Sequence, residues 1–171
     1  MASGNVIFTL LPHGSLPTTT AYATLDTLSD ASTVVGVIPC LDFKGAANDT
    51  HAEWIECVPT QYAAGGINWK VHYAPAGVQT GVVQFEVRAF KLVDGDTITS
   101  LNLQAKTAID INDTPTGTTN QIHVTTTGTL TDTNMGNPTV GDYVRIRVSR
   151  DFDHDAMSDD VQVVAVVGYE V

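Results

Sequence analysis

Charge is what this chain has least of. Charged side chains make up 16% of its 171 residues, where globular domains carry about a quarter. The eight basic residues are scattered and outnumbered by nineteen acids, giving a formal charge of −11. Phosphate backbones repel so acidic a body, because their binding rests on clustered Lys and Arg. Neither nucleic acid nor an anionic membrane is expected as a partner. Long apolar runs are missing too. The longest, residues 34–41 and 161–167, fall well short of the roughly 20 that a membrane helix needs. The first positive side chain is Lys44, so the cationic start of a secretory leader is not seen. Two cysteines, Cys40 and Cys57, cannot make a disulfide framework. Each lies in an apolar run, where a free thiol behaves as a small buried hydrophobe.

Catalytic signatures are equally scarce. His13, His51, His72, His123 and His154 share no metal-ligand spacing, and HExxH, GxSxG and Gly-rich phosphate loops are absent. The expectation is a protein that is not an enzyme and needs no cofactor.

What the chain does have is threonine (24) and valine (21). Branching at Cβ restricts χ1 and favours a pleated, half-buried backbone. No stretch sustains a helical period, while strand patterns recur. Strands are expected at residues 33–43, 51–58, 67–74, 81–93, 121–130, 143–149 and 161–169. Residues 98–111 could hold a short helix around 103–109. In residues 67–74 the apolar Ile67, Trp69, Val71 and Tyr73 alternate with Asn68, Lys70 and His72, the mark of a sheet with one wet face. Trp54 and Trp69 read as core anchors. Pro12 and Pro17 cannot donate to a ladder, so residues 1–30 are expected as an extended N-terminal arm and residues 31–171 as the domain. Short strands joined by loops fold as two packed antiparallel sheets. The expected class is all-β, a jelly-roll β-sandwich.

Two groups of residues stand out as candidate sites. Asp151, Asp153 and Asp155 occupy the first, third and fifth positions of an EF-hand-like loop. However, Ala156 stands where the turn glycine belongs and Gln162 where the bidentate glutamate belongs. An acidic hairpin loop without an ion is therefore the favoured reading. Arg145, Arg147 and Arg150 read as one solvated strand face. For an interface, the candidates are Phe8, Leu10, Leu11, Pro12, Leu16 and Pro17 on the arm, with Phe90 and Tyr143 as aromatics on polar strand faces.

An ordered series of short segments then carries a resemblance. It runs through Ala23-Thr24-Leu25-Asp26, Pro39-Cys40-Leu41-Asp42-Phe43, Pro59-Thr60-Gln61-Tyr62 and Gly65-Gly66 before the Trp69 strand. It ends in Gly141-Asp142-Tyr143-Val144-Arg145-Ile146-Arg147-Val148-Ser149-Arg150-Asp151, an acidic loop and a last apolar strand. The series resembles the jelly-roll head decoration (cement) proteins of tailed phages. That resemblance implies a homotrimer on the outer capsid surface of a virion assembled in the host cytoplasm. Its partner would be the major capsid protein, whose adjoining subunits it would clamp, with the arm reaching a neighbour. The rival expectation is a carbohydrate- or receptor-binding module of a tail fibre or spike.

Overall fold

The computed structural model describes residues 4–16, 20–29, 37–45, 50–97 and 102–171. Eleven strands form among them: β1 (Val6–Leu10), β2 (Thr24–Ser29), β3 (Val37–Phe43), β4 (His51–Cys57), β5 (Ile67–Pro75), β6 (Val83–Lys91), β7 (Ile109–Asp113), β8 (His123–Val124), β9 (Gly128–Leu130), β10 (Tyr143–Arg150) and β11 (Val161–Glu170). One sheet runs β2-β3-β11-β5-β8, with β1 also on β11 and β9 also on β5; the other runs β4-β10-β6-β7. Every strand pairing is antiparallel. The chain passes repeatedly from one sheet to the other, at β3–β4, β4–β5, β5–β6, β7–β8, β9–β10 and β10–β11, and one core cluster draws on both sheets, as in a jelly roll. The expected fold class is the observed one.

Period-two alternation places the core. Trp69, Val71 and Tyr73 of β5 meet Phe85 and Val87 of β6, Ile146 and Val148 of β10 and Trp54 of β4. Phe43 and Tyr73 both meet Phe85 with ring centroids 5.9 Å apart. Such edge-on aromatic pairs add to what burial alone contributes.

The N-terminal segment is extended but not free, which corrects the arm. Strand β1 pairs with β11 from Val6↔Tyr169 to Leu10↔Val166, and β2 pairs with β3. Phe8 stacks on Trp69 with planes 9° apart, and the Trp54 indole N–H donates to the Leu11 carbonyl at 3.0 Å. The hydrophobic gain from burying Ile7, Phe8 and Leu10 holds this segment in its own sheet.

Two other expectations change. The helix is a single 3₁₀ turn at Leu103–Ala105, where the Asn102 side chain accepts from the Gln104 N–H. The following β-branched Ile109 and Ile111 enter β7 instead, Ile111 inside the core. The expected strand 121–130 breaks into β8 and β9. Between them the Thr125 hydroxyl accepts from the Val71 N–H at 3.0 Å and the Thr126 hydroxyl from the Asn112 N–H at 3.2 Å. Gly128 then passes so close to β7 that a Cβ would lie 2.6 Å from Ile111 Cγ2; only glycine fits.

Candidate functional site

The outer face of the β4-β10-β6-β7 sheet gathers much of the chain's ionic chemistry. Register sets Arg147 between Glu53 and Arg88, and Arg145 between Ile55 and Phe90. Glu53 is 2% exposed, and its carboxylate accepts from Arg145 Nε at 3.0 Å and from Arg147 Nε at 2.6 Å. The 3₁₀ turn lies over this network: Arg147 donates to Gln104 Oε1 at 3.2 Å, and Arg88 Nε donates to the Lys106 carbonyl at 3.3 Å. Beside it the Lys106 ammonium sits 3.7 Å from the centre of the Phe90 ring.

The arginine trio is therefore not one solvated face. Arg145 and Arg147 hold a buried carboxylate, and Arg150 turns the other way into the core, 0% exposed. Its guanidinium donates to Asp155 Oδ2 at 2.6 Å and to the carbonyls of Asp159, at 2.7 Å, Phe43, at 3.3 Å, and Met157. The signal was in the parity. Arg150 shares the odd-even phase of Val144, Ile146 and Val148, which point inward. Glu53 left no such signal, since its burial depends on partners almost a hundred residues away.

The acidic loop separates its aspartates. Asp155 is committed to Arg150. Asp151 accepts from Gln84 Nε2 at 3.1 Å and lies 2.7 Å from His154 Nδ1, while Asp153 is exposed. The three do not converge as an EF-hand loop would require. Instead Asp151 meets Glu86 and Asp110, with one oxygen from each within 4.8 Å of the others, and Glu86 also binds Arg88 at 2.6 Å. Asp151 raises the exposed His154 above the usual imidazole range by hydrogen bonding and charge.

Strand pairing also makes a His–carboxylate neighbourhood outside that loop, which the sequence did not reveal. His123 Nδ1 lies 3.8 Å from Asp113, which accepts from the Tyr73 hydroxyl at 3.1 Å. Burial, with Asp113 beside it, pushes the Tyr73 hydroxyl far above its ordinary range, so it stays protonated. That chemistry suits a structural hydrogen bond.

The interface candidates divide. Phe8, Leu10 and Pro12 are buried within the sandwich, a correction that follows from β1 joining its sheet. Leu11, Leu16 and Tyr143 are exposed and Phe90 is half-buried; Pro17 lies outside the described residues. Tyr143 stands opposite Cys57 and Arg145 opposite Ile55, so Tyr143 (55% exposed), Ile55 (44%) and Cys57 share one open stretch of sheet. Cys57 is thus exposed rather than buried, while Cys40 is buried, and both are free thiols.

A second feature lies at the seam between the sheets. Residues 11–16 and 20–23, between β1 and β2 of the larger sheet, run beside β4 of the other sheet, and a cleft of about 300 Å³ is lined by them and by the starts of β2 and β4. Backbone hydrogen bonds pin these residues to β4: Leu16 N–H to the Glu53 carbonyl at 2.7 Å, Ala23 N–H to the His51 carbonyl at 2.9 Å, and His51 N–H to the Ala21 carbonyl at 2.9 Å. Tyr22 stands half-exposed among the lining residues, with His13 and His51. Burial, with Arg147 nearby, lowers His51 below the usual imidazole range, so it is neutral at pH 7.

No family model matches the chain, and no curated protein matches it either. Among solved structures it is similar to a cycloisomaltooligosaccharide glucanotransferase from Paenibacillus sp. complexed with cycloisomaltoheptaose. The likeness has 10% identity and a TM-score of 0.50 over 95% of this chain and 18% of that one. It is also similar to an exo-beta-1,3-galactanase from Phanerochaete chrysosporium with galactose, at 12% identity and a TM-score of 0.46 over 98% of this chain and 30% of that one. The chain spans less than a third of either enzyme. At 10% identity the likeness to the glucanotransferase bears on the β-sandwich fold alone.

Proposed function

We propose that the protein is a structural virion protein, a decoration protein that seats on the outer head surface of a tailed phage as a homotrimer. There it clamps adjoining major capsid subunits. The observation that carries this reading is the open stretch of sheet formed by Tyr143, Ile55 and Cys57. It is an apolar strip on a rigid face whose charged neighbours are tied into pairs. Exposed apolar side chains grouped on a stiff sheet suit contact with another protein surface.

The ordered series from Ala23 to Asp151 and the jelly-roll topology support the same reading. So does the net charge of −11, which favours a protein over a nucleic-acid partner. The physical task is passive. A protein that binds only the assembled shell stabilises it by mass action, and a sandwich cross-tied by buried ion pairs transmits load without catalysis.

The test is to mix the purified protein with phage heads that lack decoration and sediment them, with light scattering of the free protein for its mass. Saturable co-sedimentation and a trimeric mass are expected, and Tyr143→Asp should abolish the co-sedimentation. A monomer that stays in the supernatant would end this reading.

A further inference from the structure

The cleft at the seam between β2 and β4 is not needed for that role, and its lining is chemically specific. Among the described residues, none of the ten that line it is a carboxylate, ammonium or guanidinium. In a chain with 27 charged side chains against 171 residues, the cleft therefore offers no fixed charge to an ionic ligand. Its walls are mostly aliphatic, with Leu16 and Leu25 exposed at 37% and 58% and the Tyr22 ring at 50%. Against this apolar wall stand four hydrogen-bonding groups, on His13, His51, Thr24 and Tyr22. The remaining hydroxyl, on Ser15, is already spent on the Pro12 carbonyl at 2.8 Å.

A purely apolar guest would strip water from these polar groups without replacing its hydrogen bonds, which costs free energy. An ion would find no counter-charge. The guest that satisfies both halves is neutral and amphipathic, with C–H faces for a ring to lie on and hydroxyls around its edge. The three backbone hydrogen bonds along β4 hold the cleft open before any guest arrives, so little ordering is required on binding. Its volume of about 300 Å³ lies at the small end of ligand clefts, which suits one sugar ring rather than an extended chain.

We propose that this cleft binds a single neutral hexopyranose unit of a glycan, with Tyr22 as the stacking platform and His13, His51 and Thr24 as hydrogen-bonding partners. The neutral His51 imidazole suits the task, because it offers one donor and one acceptor to vicinal hydroxyls. The site would give a protein at a particle surface a weak hold on carbohydrate, multiplied by every copy displayed.

The test uses the full chain and saturation-transfer NMR with glucose, galactose, mannose and N-acetylglucosamine, followed by calorimetry on any that respond. At least one should bind weakly and saturably. Tyr22→Ala should lower that affinity by about tenfold or more, with the melting temperature and oligomeric mass unchanged, and Tyr143→Asp should leave it intact. Three results would each overturn the proposal: no response to any of the four sugars, binding indifferent to Tyr22→Ala, or a changed oligomeric mass in Tyr22→Ala, which would make a second copy the occupant. The capsid reading is decided separately by co-sedimentation, so either idea can fail while the other stands.

Discussion

Glu53 and Arg147 stand directly opposite each other on β4 and β10, and the carboxylate accepts from the guanidinium at 2.6 Å while only 2% exposed. A buried charge is tolerable only while paired. Glu53→Ala leaves two guanidinium groups facing each other across an empty site, and it is expected to cost about 3 kcal/mol. Arg145→Ala leaves Glu53 held by Arg147 and should cost about 1 kcal/mol. Urea unfolding midpoints decide the matter. A Glu53→Ala protein within about 0.5 kcal/mol of the parent would show the network to be dispensable.

Arg150 poses a stricter requirement. One planar fork serves Asp155 and three backbone carbonyls at once, with both side chains of the ion pair fully buried. A lysine ammonium keeps the charge but cannot span those four acceptors. Arg150→Lys is expected to lose about 3 kcal/mol or more. It should also loosen residues 155–159, read as faster amide exchange there than in β5. Exchange unchanged in that loop would refute the cross-tie.

How much of this was legible in the sequence follows from what each feature depends on. The layers were legible because Val83, Phe85 and Val87, like Ile67, Trp69 and Val71, alternate, and a period of two needs no distant partner to be seen. The integration of β1 was not. Phe8 and Leu10 read as apolar residues beside two prolines, and only the register against β11 shows where they go. The burial of Glu53 was hidden for a related reason: on its own strand it alternates with Trp54, and its partners Arg145 and Arg147 come from β10. The seam cleft forms where residues before β2 run beside β4, with Tyr22 and His51 brought together by tertiary structure alone.

The placement of β1 makes a deletion test of the segment mean something different from what a free arm would imply. Phe8 is 4% exposed and Leu10 1%. Phe8→Ala is therefore expected to cost about 3–5 kcal/mol, and removal of residues 1–10 to lower the melting temperature sharply or abolish soluble expression. Differential scanning calorimetry distinguishes the cases. A truncated protein that melts as the full chain does would mean that β1 is an optional strand.

The two thiols should behave as opposites. Cys57 is exposed and Cys40 buried, so a disulfide-exchange reagent should titrate one thiol in the native protein and two in denaturant. Burial pushes the Cys40 thiol from 9.0 to about 11, with the Asp26 and Asp42 carboxylates adding to the effect. The unfolded chain thus releases this proton at a lower pH than the folded one. Stability held in full below pH 9 should fall as the pH rises towards about 11. A two-unit difference in pKa corresponds to about 2–3 kcal/mol. Tyr62 and Tyr73, raised chiefly by burial above their ordinary 10.0, contribute in the same sense, as does Lys44, raised by its hydrogen bonds to Asp160 and then Asp42 above its ordinary 10.5. They do so only above those values, so the first part of the decline, from 9.0 to 10.0, belongs to the thiol. Urea unfolding of the parent and of Cys40→Ala across this range should show the early slope in the parent only. Parallel curves would mean that Cys40 ionises equally well in both states, contrary to its burial against Leu28 and Ala74.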